Sequence, residues 1–387
     1  MIINEDTMLE MLRNTKNVFL LEPNYKRKYM PTGFGKIINY MISNGHAKNI
    51  RYGRDFRNDS ENDLICVTTL FTYESKIVEE CIDKIYKLKP DANVLIGGIF
   101  ASLRPKWFLE RYPKASVFVG YSRELDYYYP YDDANFWGVD DDWKDYFTVF
   151  TTRGCANKCA YCAVWRIEEK KDLWINPNWR NLISQTEKKK LMVSDNNLTS
   201  SPREHVVEVL KLLGDLKKPV LFNNGIDVKH IDEEYAELLG RIKFVSGGGL
   251  TVAFDRIEED GLFQDKVKLL LKYGVKPSVM KAFVLYNFVD TPQEAHYRMS
   301  EVYKLGIRPY PQRYASLYAL DRKTDMFIGK HWTRNLTSAF RYYWLFAGCY
   351  KKYTFEESVY SEKFRQIKMS AEDWEKWNYE KDKYIAR

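Results

Sequence analysis

The 387-residue chain predicts an α/β protein, with a doubly wound parallel sheet first, a parallel (β/α) barrel next and a helical extension last. Three observations predict it. Short apolar runs alternate with segments whose apolar residues recur at helical spacing. Polar residues gather directly after several of those runs, where the carboxyl ends of parallel strands carry function. A loop with three cysteines, Cys155-x3-Cys159-x2-Cys162, follows the run Phe147 to Phe150.

Residues 1–130 read as the first domain. Val18 to Leu21 is a buried parallel strand bounded by Asn17 and Pro23. Phe34, Ile37, Ile38, Met41 and Ile42 then share one helix face, and Gly45 ends that helix. Leu64 to Thr68 is a second strand, followed by a helix carrying Ile77, Cys81, Ile82 and Ile85. Val94 to Gly98 and Val117 to Gly120 supply a third and a fourth. Such alternation predicts a doubly wound sheet. Residues 131–145 continue a tyrosine-rich stretch into Asp140-Asp141-Asp142 and read as a linker.

Residues 146–316 repeat the alternation. Phe147 to Phe150, Leu191 to Val193, Val220 to Phe222, Phe244-Val245 and Ala282 to Leu285 are the strands. Val206, Val207, Leu210 and Leu213, then Val267, Leu270 and Leu271, mark the helices between them. At the strand ends stand Ser194, Asp195 and Asn196, then Asn223 and Asp227, then Asp255, Asn287 and Arg313. Asn and Asp also favour such turns for backbone reasons alone. Gly247-Gly248-Gly249 lacks the rest of a phosphate-binding motif and reads as a turn. Residues 317–387 read as the helical extension, with Phe340, Tyr343, Trp344 and Ala347 on one face and a solvated charged tail from Glu375.

The cysteine loop carries the chemistry. Thiolates are soft ligands, and three from one tight loop can hold three irons of a cubane, leaving the fourth iron open. Structural zinc asks for four ligands, yet the next histidine is His205 and no second cysteine pair exists. Thr151-Thr152-Arg153-Gly154-Cys155-Ala156-Asn157-Lys158-Cys159-Ala160-Tyr161-Cys162 resembles the signature of the radical S-adenosylmethionine (SAM) superfamily, with its aromatic residue before the third cysteine. Runs such as Phe222-Asn223-x-Gly225-x-Asp227, Ala253-Phe254-Asp255 and Leu285-Tyr286-Asn287-Phe288 are similar to those of a less characterised group within it.

That resemblance implies a partial, (β/α)6-type barrel. It also implies a 4Fe–4S cluster on Cys155, Cys159 and Cys162, with SAM on its open iron. Reductive cleavage would give a 5′-deoxyadenosyl radical that abstracts hydrogen from an unidentified substrate. An electron donor such as flavodoxin or ferredoxin would serve it. Tyr161 would pack near the adenine. Ser194-Asp195-Asn196 stands where the superfamily has Gly-Gly-Glu for the SAM amino group, with Asp195 the first choice. Asn223, Asp227, Asp255, Asn287 and Arg313 are further candidates for SAM or substrate.

The first domain resembles the cobalamin-binding-type domain of one branch of the superfamily, at Gly97-Gly98-Ile99 and Gly120 to Glu124. Where that type carries Asp-x-His-x-x-Gly, this chain reads Glu22-Pro23-Asn24-Tyr25-Lys26-Arg27. Histidine ligation of cobalt by that route is excluded. Cobalamin held without a protein ligand stays open but is not favoured, and with it a cobalamin-assisted methyltransferase.

Composition sets the remaining bounds. Hydrophobic residues make up 45% and charged residues 29%, as in globular enzymes. The six cysteines and the acidic N-terminus, which lacks a signal-peptide pattern, fit a cytoplasmic protein. Cys349 reads as a small buried hydrophobe. No apolar run has the length of a membrane span, so no membrane partner is expected. A net charge of +7 admits a nucleic-acid partner, and a zinc-bearing nucleic-acid-binding module is the alternative from another class.

Overall fold

The computed structural model describes residues 1–46, 49–58, 61–168, 173–361 and 367–385. It is a mixed α/β protein with parallel sheets, divided into two compact units. The first is Met1–Lys189 with Ser316–Met326, and the second is Lys190–Ala315 with Phe327–Arg387. Among the described residues no helix is long and apolar enough to cross a membrane.

The first unit begins with β1 (Ile2–Ile3), α1 (Glu5–Arg13), β2 (Asn17–Leu21), α2 (Thr32–Ser43), β3 (Asn49–Gly53) and β4 (Leu64–Thr69). It continues with α3 (Ser75–Leu88), β5 (Val94–Gly98), α4 (Ile99–Leu103), α5 (Pro105–Arg111), β6 (Ser116–Phe118) and α6 (Arg123–Tyr127). The sheet is parallel throughout, in the order β1-β6-β5-β4-β2-β3. Strand alternation splits its side chains between two cores. Phe19, Leu21, Ile65, Val67 and Ile96 face Val78, Ile82, Phe100 and Phe108. Val18, Leu20, Leu64, Cys66 and Leu95 face Leu9, Leu12, Phe34 and Ile38. Both faces are covered, which is why these strands read as continuous apolar runs.

Two strands of this six-stranded sheet escaped the sequence reading. β3, Asn-Ile-Arg-Tyr-Gly, is a half-exposed edge strand without a buried run, and β1 has only two residues. In α2, Ile42 points to solvent, while the other four expected residues are buried.

The stretch expected to be a linker packs instead into this unit. Helix α7 (Ala134–Trp137) places Trp137 fully inside the core beside Val139 and Leu125. The unit boundary falls at Lys189, beyond that stretch. The unit closes with β7 (Tyr146–Val149), β8 (Thr152–Arg153), α8 (Val164–Ile167), β9 (Trp174–Ile175) and α9 (Trp179–Gln185). Residues after 315 return to it, where the carbonyls of Leu317 and Leu320 accept from the Thr72 and Ser75 hydroxyls.

The second unit alternates regularly through β10 (Lys190–Val193), α10 (Arg203–Leu216), β11 (Val220–Phe222), α11 (Glu233–Gly240) and β12 (Leu250–Ala253). Then come α12 (Leu262–Lys272), β13 (Met280–Tyr286), α13 (Pro292–Lys304) and β14 (Arg308–Arg313). β10 pairs parallel with β11, and β12, β13 and β14 pair parallel in that order. A parallel bridge between Ile226 and Val252 joins the two sets. Phe244-Val245 contributes only one bridge to Val220, because the chain loops out through the glycine run; the strand is β12.

Helices α14 (Arg334–Leu345), α15 (Ala347–Tyr350), α16 (Phe355–Tyr360), α17 (Ala371–Asn378) and α18 (Lys381–Ile385) complete the chain as described. Ala347 is exposed rather than on the apolar face, since the helix breaks at Phe346. The tail is not merely solvated. Trp377 is buried, its ring stacks on Phe355 with centroids 3.8 Å apart, and its carbonyl accepts from Gln293 Nε2 at 2.6 Å.

Candidate functional site

Arg153 ends β8, which pairs antiparallel with β9, and Gly154 turns the chain into the cysteine loop. Gly154 has φ of +86°, a conformation that L side chains rarely adopt. The loop is fixed at both ends. Glu168 Oε2 accepts the Gly154 N–H at 2.6 Å. On the far side, Trp165 Nε1 donates to the Cys159 carbonyl at 2.8 Å and Arg166 Nη2 to the Ala160 carbonyl at 3.0 Å.

All three cysteines are half-buried. Two backbone N–H groups point at their sulfurs, Asn157 to Cys155 Sγ at 3.4 Å and Val164 to Cys162 Sγ at 3.5 Å. Burial pushes the Cys162 thiol up; the Val164 N–H opposes this, and the neighbouring Cys159 and Cys155 add to it. Among the described residues no group of three or more His, Cys, Asp or Glu side chains stands in metal-holding geometry, this loop included. The donor set nevertheless fits an iron–sulfur cluster: three soft ligands on one tight loop, with N–H donors on the sulfurs of the kind that tune such clusters. Tyr161 stands half-buried between the second and third cysteines.

The other cysteines of this unit pack in its cores. Cys66 lies in β4 and Cys81 on α3, and burial pushes both thiols up to about 12. Cys349, in the second unit, is buried as expected of a small hydrophobe.

Behind the loop lies a buried set of charges that the sequence reading missed. Arg153 donates to Asp126 through Nε at 2.6 Å and Nη2 at 3.1 Å, and to Glu168 Oε1 through Nη1 at 3.2 Å. Lys36 also pairs with Asp126. Burial alone would raise the Asp126 carboxyl, but Lys36 and Arg153 hold it at about 2. The same four side chains line a cavity of about 420 Å³ beside the carboxyl ends of β4 and β5. Its other walls are largely apolar, including Met30, Phe34, Leu70 and Ile99. Gly98, at its rim with φ of +102°, must be glycine, since a Cβ there would meet the Thr69 carbonyl at 2.2 Å. Glu22, in the place of a cobalt-ligating motif, is buried and bound by Tyr52 and Arg54.

In the second unit the strand-end candidates lie along one edge of the parallel strands, with different exposures. Asn223 is exposed; Asn196, Asp227, Asp255 and Arg313 are half-buried; Ser194, Asp195 and Asn287 are buried. Several side chains already bind the backbone. Asp255 Oδ1 accepts from Leu285 N at 2.9 Å, and Asp227 Oδ1 from Lys229 N at 3.1 Å. Asn224 Nδ2 donates to the Ser194 carbonyl at 2.7 Å. Asn287, fully buried at φ +63°, donates to the carbonyls of Tyr314 and Phe327 at 3.3 and 3.0 Å. Its Oδ1 accepts from Gly329 N at 3.0 Å, so its polar atoms are occupied in locking a turn.

Arg313 pairs in register with Tyr286, whose hydroxyl reaches the Thr337 carbonyl on α14. Parallel register partners point to the same face, so Arg313 starts from the helix-packed face of its strand. Burial lowers its pKa, Tyr286 opposes this, and Arg341 and Arg334 add to it. A second unforeseen group stiffens the same edge. Arg298 is fully buried, pairs with Asp290 at 2.8 Å and donates to the carbonyls of Phe254 at 2.9 Å and Leu285 at 3.0 Å.

No family model matches the chain, and no curated protein is significantly similar to it.

Proposed function

We propose that this protein is a radical SAM enzyme acting on an unidentified substrate. The observation that carries the reading is the CxxxCxxC loop, held at both ends and carrying N–H donors on two of its sulfurs. When bound, a 4Fe–4S cluster with SAM supplies the one-electron cleavage that yields a 5′-deoxyadenosyl radical for hydrogen abstraction. The protein's own share is to supply three thiolates and orient the loop. The order of elements supports a partial (β/α)6-type barrel, with β7 before the loop and β10 to β14 after it. Asp195 is the proposed contact of the SAM amino group, and Asn223, Asp227 and Asp255 are proposed around SAM or substrate. Flavodoxin or ferredoxin would deliver the electron.

Anaerobic purification with iron and sulfide analysis, followed by a dithionite assay for 5′-deoxyadenosine, tests this. About four irons per chain, as a cubane requires, with 5′-deoxyadenosine formed, supports it. Zinc without iron, and intact SAM, overturns it.

One observation favours a second reading, a cobalamin-assisted methyltransferase: the largely apolar cavity in the first unit. Glu22 offers cobalt no imidazole, so a corrinoid would have to bind without a protein ligand. A corrinoid absorption spectrum after reconstitution would favour this reading, and its absence would count against it.

A further inference from the structure

We infer that Glu168 and Asp126 are positioning residues for the cysteine loop, acting through the Gly154 amide and the Arg153 guanidinium. This rests on the proposed cluster-binding role of that loop.

The geometry is specific. Glu168 divides its two oxygens between adjacent residues, Oε2 to the Gly154 N–H at 2.6 Å and Oε1 to Arg153 at 3.2 Å. The next residue after Gly154 is the first cysteine. Asp126 takes the other edge of the same guanidinium in a two-point grip, which fixes the guanidinium plane as well as its position. Phe150 closes a face of it, with the cation 3.6 Å from the ring centroid. Arg153 is thus held by two carboxylates and an aromatic ring, and little rotational freedom is left to it.

The charges balance. Lys36 and Arg153 face Asp126 and Glu168, so the group is internally satisfied. What it does reach is the backbone that enters the loop. A glycine at φ +86° has many alternatives in the unfolded or loosened chain. The Glu168 carboxylate selects one of them, and with it the direction in which Cys155 leaves β8. Trp165 and Arg166 fix the exit of the loop from neutral or cationic donors. The entry is held by buried carboxylates. Outer partners of metal ligands typically change affinity or activity by about 10- to 100-fold when removed.

The experiment compares Glu168→Ala, Glu168→Gln and Asp126→Asn with the wild type, each first checked for a cooperative unfolding transition. In the metal-free protein, the rate of Cys155 alkylation by iodoacetamide is followed by mass spectrometry. In the reconstituted protein, iron content and the electron paramagnetic resonance of the dithionite-reduced state are recorded with and without SAM. Glu168→Ala is expected to change the Cys155 alkylation rate and to lower retained iron by about tenfold or more. Glu168→Gln, which keeps an acceptor for the Gly154 amide, restores part of both, and Asp126→Asn shifts both in the same direction. Folded variants with wild-type alkylation rates and resonance spectra would overturn the inference. If Glu168→Ala does not fold, the two conservative variants decide it on the same readouts. A wild type that holds no iron removes the radical-enzyme reading, while the alkylation rates still decide the positioning role.

Discussion

Arg298, fully buried, and Arg153, largely buried, are both ion-paired, one in each unit, yet they are connected differently. Arg298 spends its guanidinium on Asp290 and on the carbonyls that end β12 and β13. Arg153 is shared between Asp126 and Glu168, and Glu168 goes on to the amide beside the first cysteine. The first arrangement fastens a scaffold to itself. The second fastens a scaffold to the cysteine loop. Buried charge alone therefore does not identify a functional group; what matters is which backbone the charge holds.

Substitutions separate these roles. The largest effect is expected at the loop itself: Cys159→Ala abolishes cluster binding and 5′-deoxyadenosine formation without unfolding the chain. A variant with full iron and SAM cleavage would break the assignment. Arg298→Ala leaves Asp290 buried and unpaired and is expected to destabilise the protein by about 3–5 kcal/mol in urea denaturation. If instead it spared stability and removed only activity, the contrast between the two arginines would collapse.

Asn287→Ala is expected to cost about 2–3 kcal/mol, because buried backbone groups lose their partners. A loss confined to SAM affinity would return Asn287 to the cofactor site. The last effect concerns acid and is of similar size. Burial pushes His205 down to about 4 from an ordinary value of 6.5. The unfolded chain then binds more protons between those values, so the stability from the neutral imidazole is present above pH 6.5 and is lost as pH falls towards 4. Over that interval the loss is about 2–3 kcal/mol. His205→Gln should flatten this part of the stability–pH curve, and an unchanged slope would place the acid sensitivity elsewhere.

Much of the fold was legible because buried parallel strands are written as apolar runs. Val18 to Leu21, Leu64 to Thr68 and Val94 to Gly98 all lie in strands. β3 was not legible, since an edge strand needs no such run, and β12 was obscured by the glycines before it. Trp137 and Trp377 sit in stretches whose composition suggests solvent, yet each indole is buried by distant residues. The cysteine loop was legible as spacing. Its supports were not. Asp126 lies 27 residues from Arg153 and Glu168 lies 14 residues from Gly154, and no periodicity marks either pair.

The shared wall between the cavity and the loop has one more consequence. Lys36, Asp126, Arg153 and Glu168 line the cavity and also hold the entry to the cysteines. Any occupant that favours one setting of Arg153 must bind more tightly when the loop already holds that setting. Linkage makes the effect reciprocal, so loading the cysteines would change the occupant's affinity by the same factor by which the occupant changes theirs. Titrating a corrinoid into metal-free and cluster-loaded protein measures that factor, and a ratio of one would mean that the wall transmits nothing.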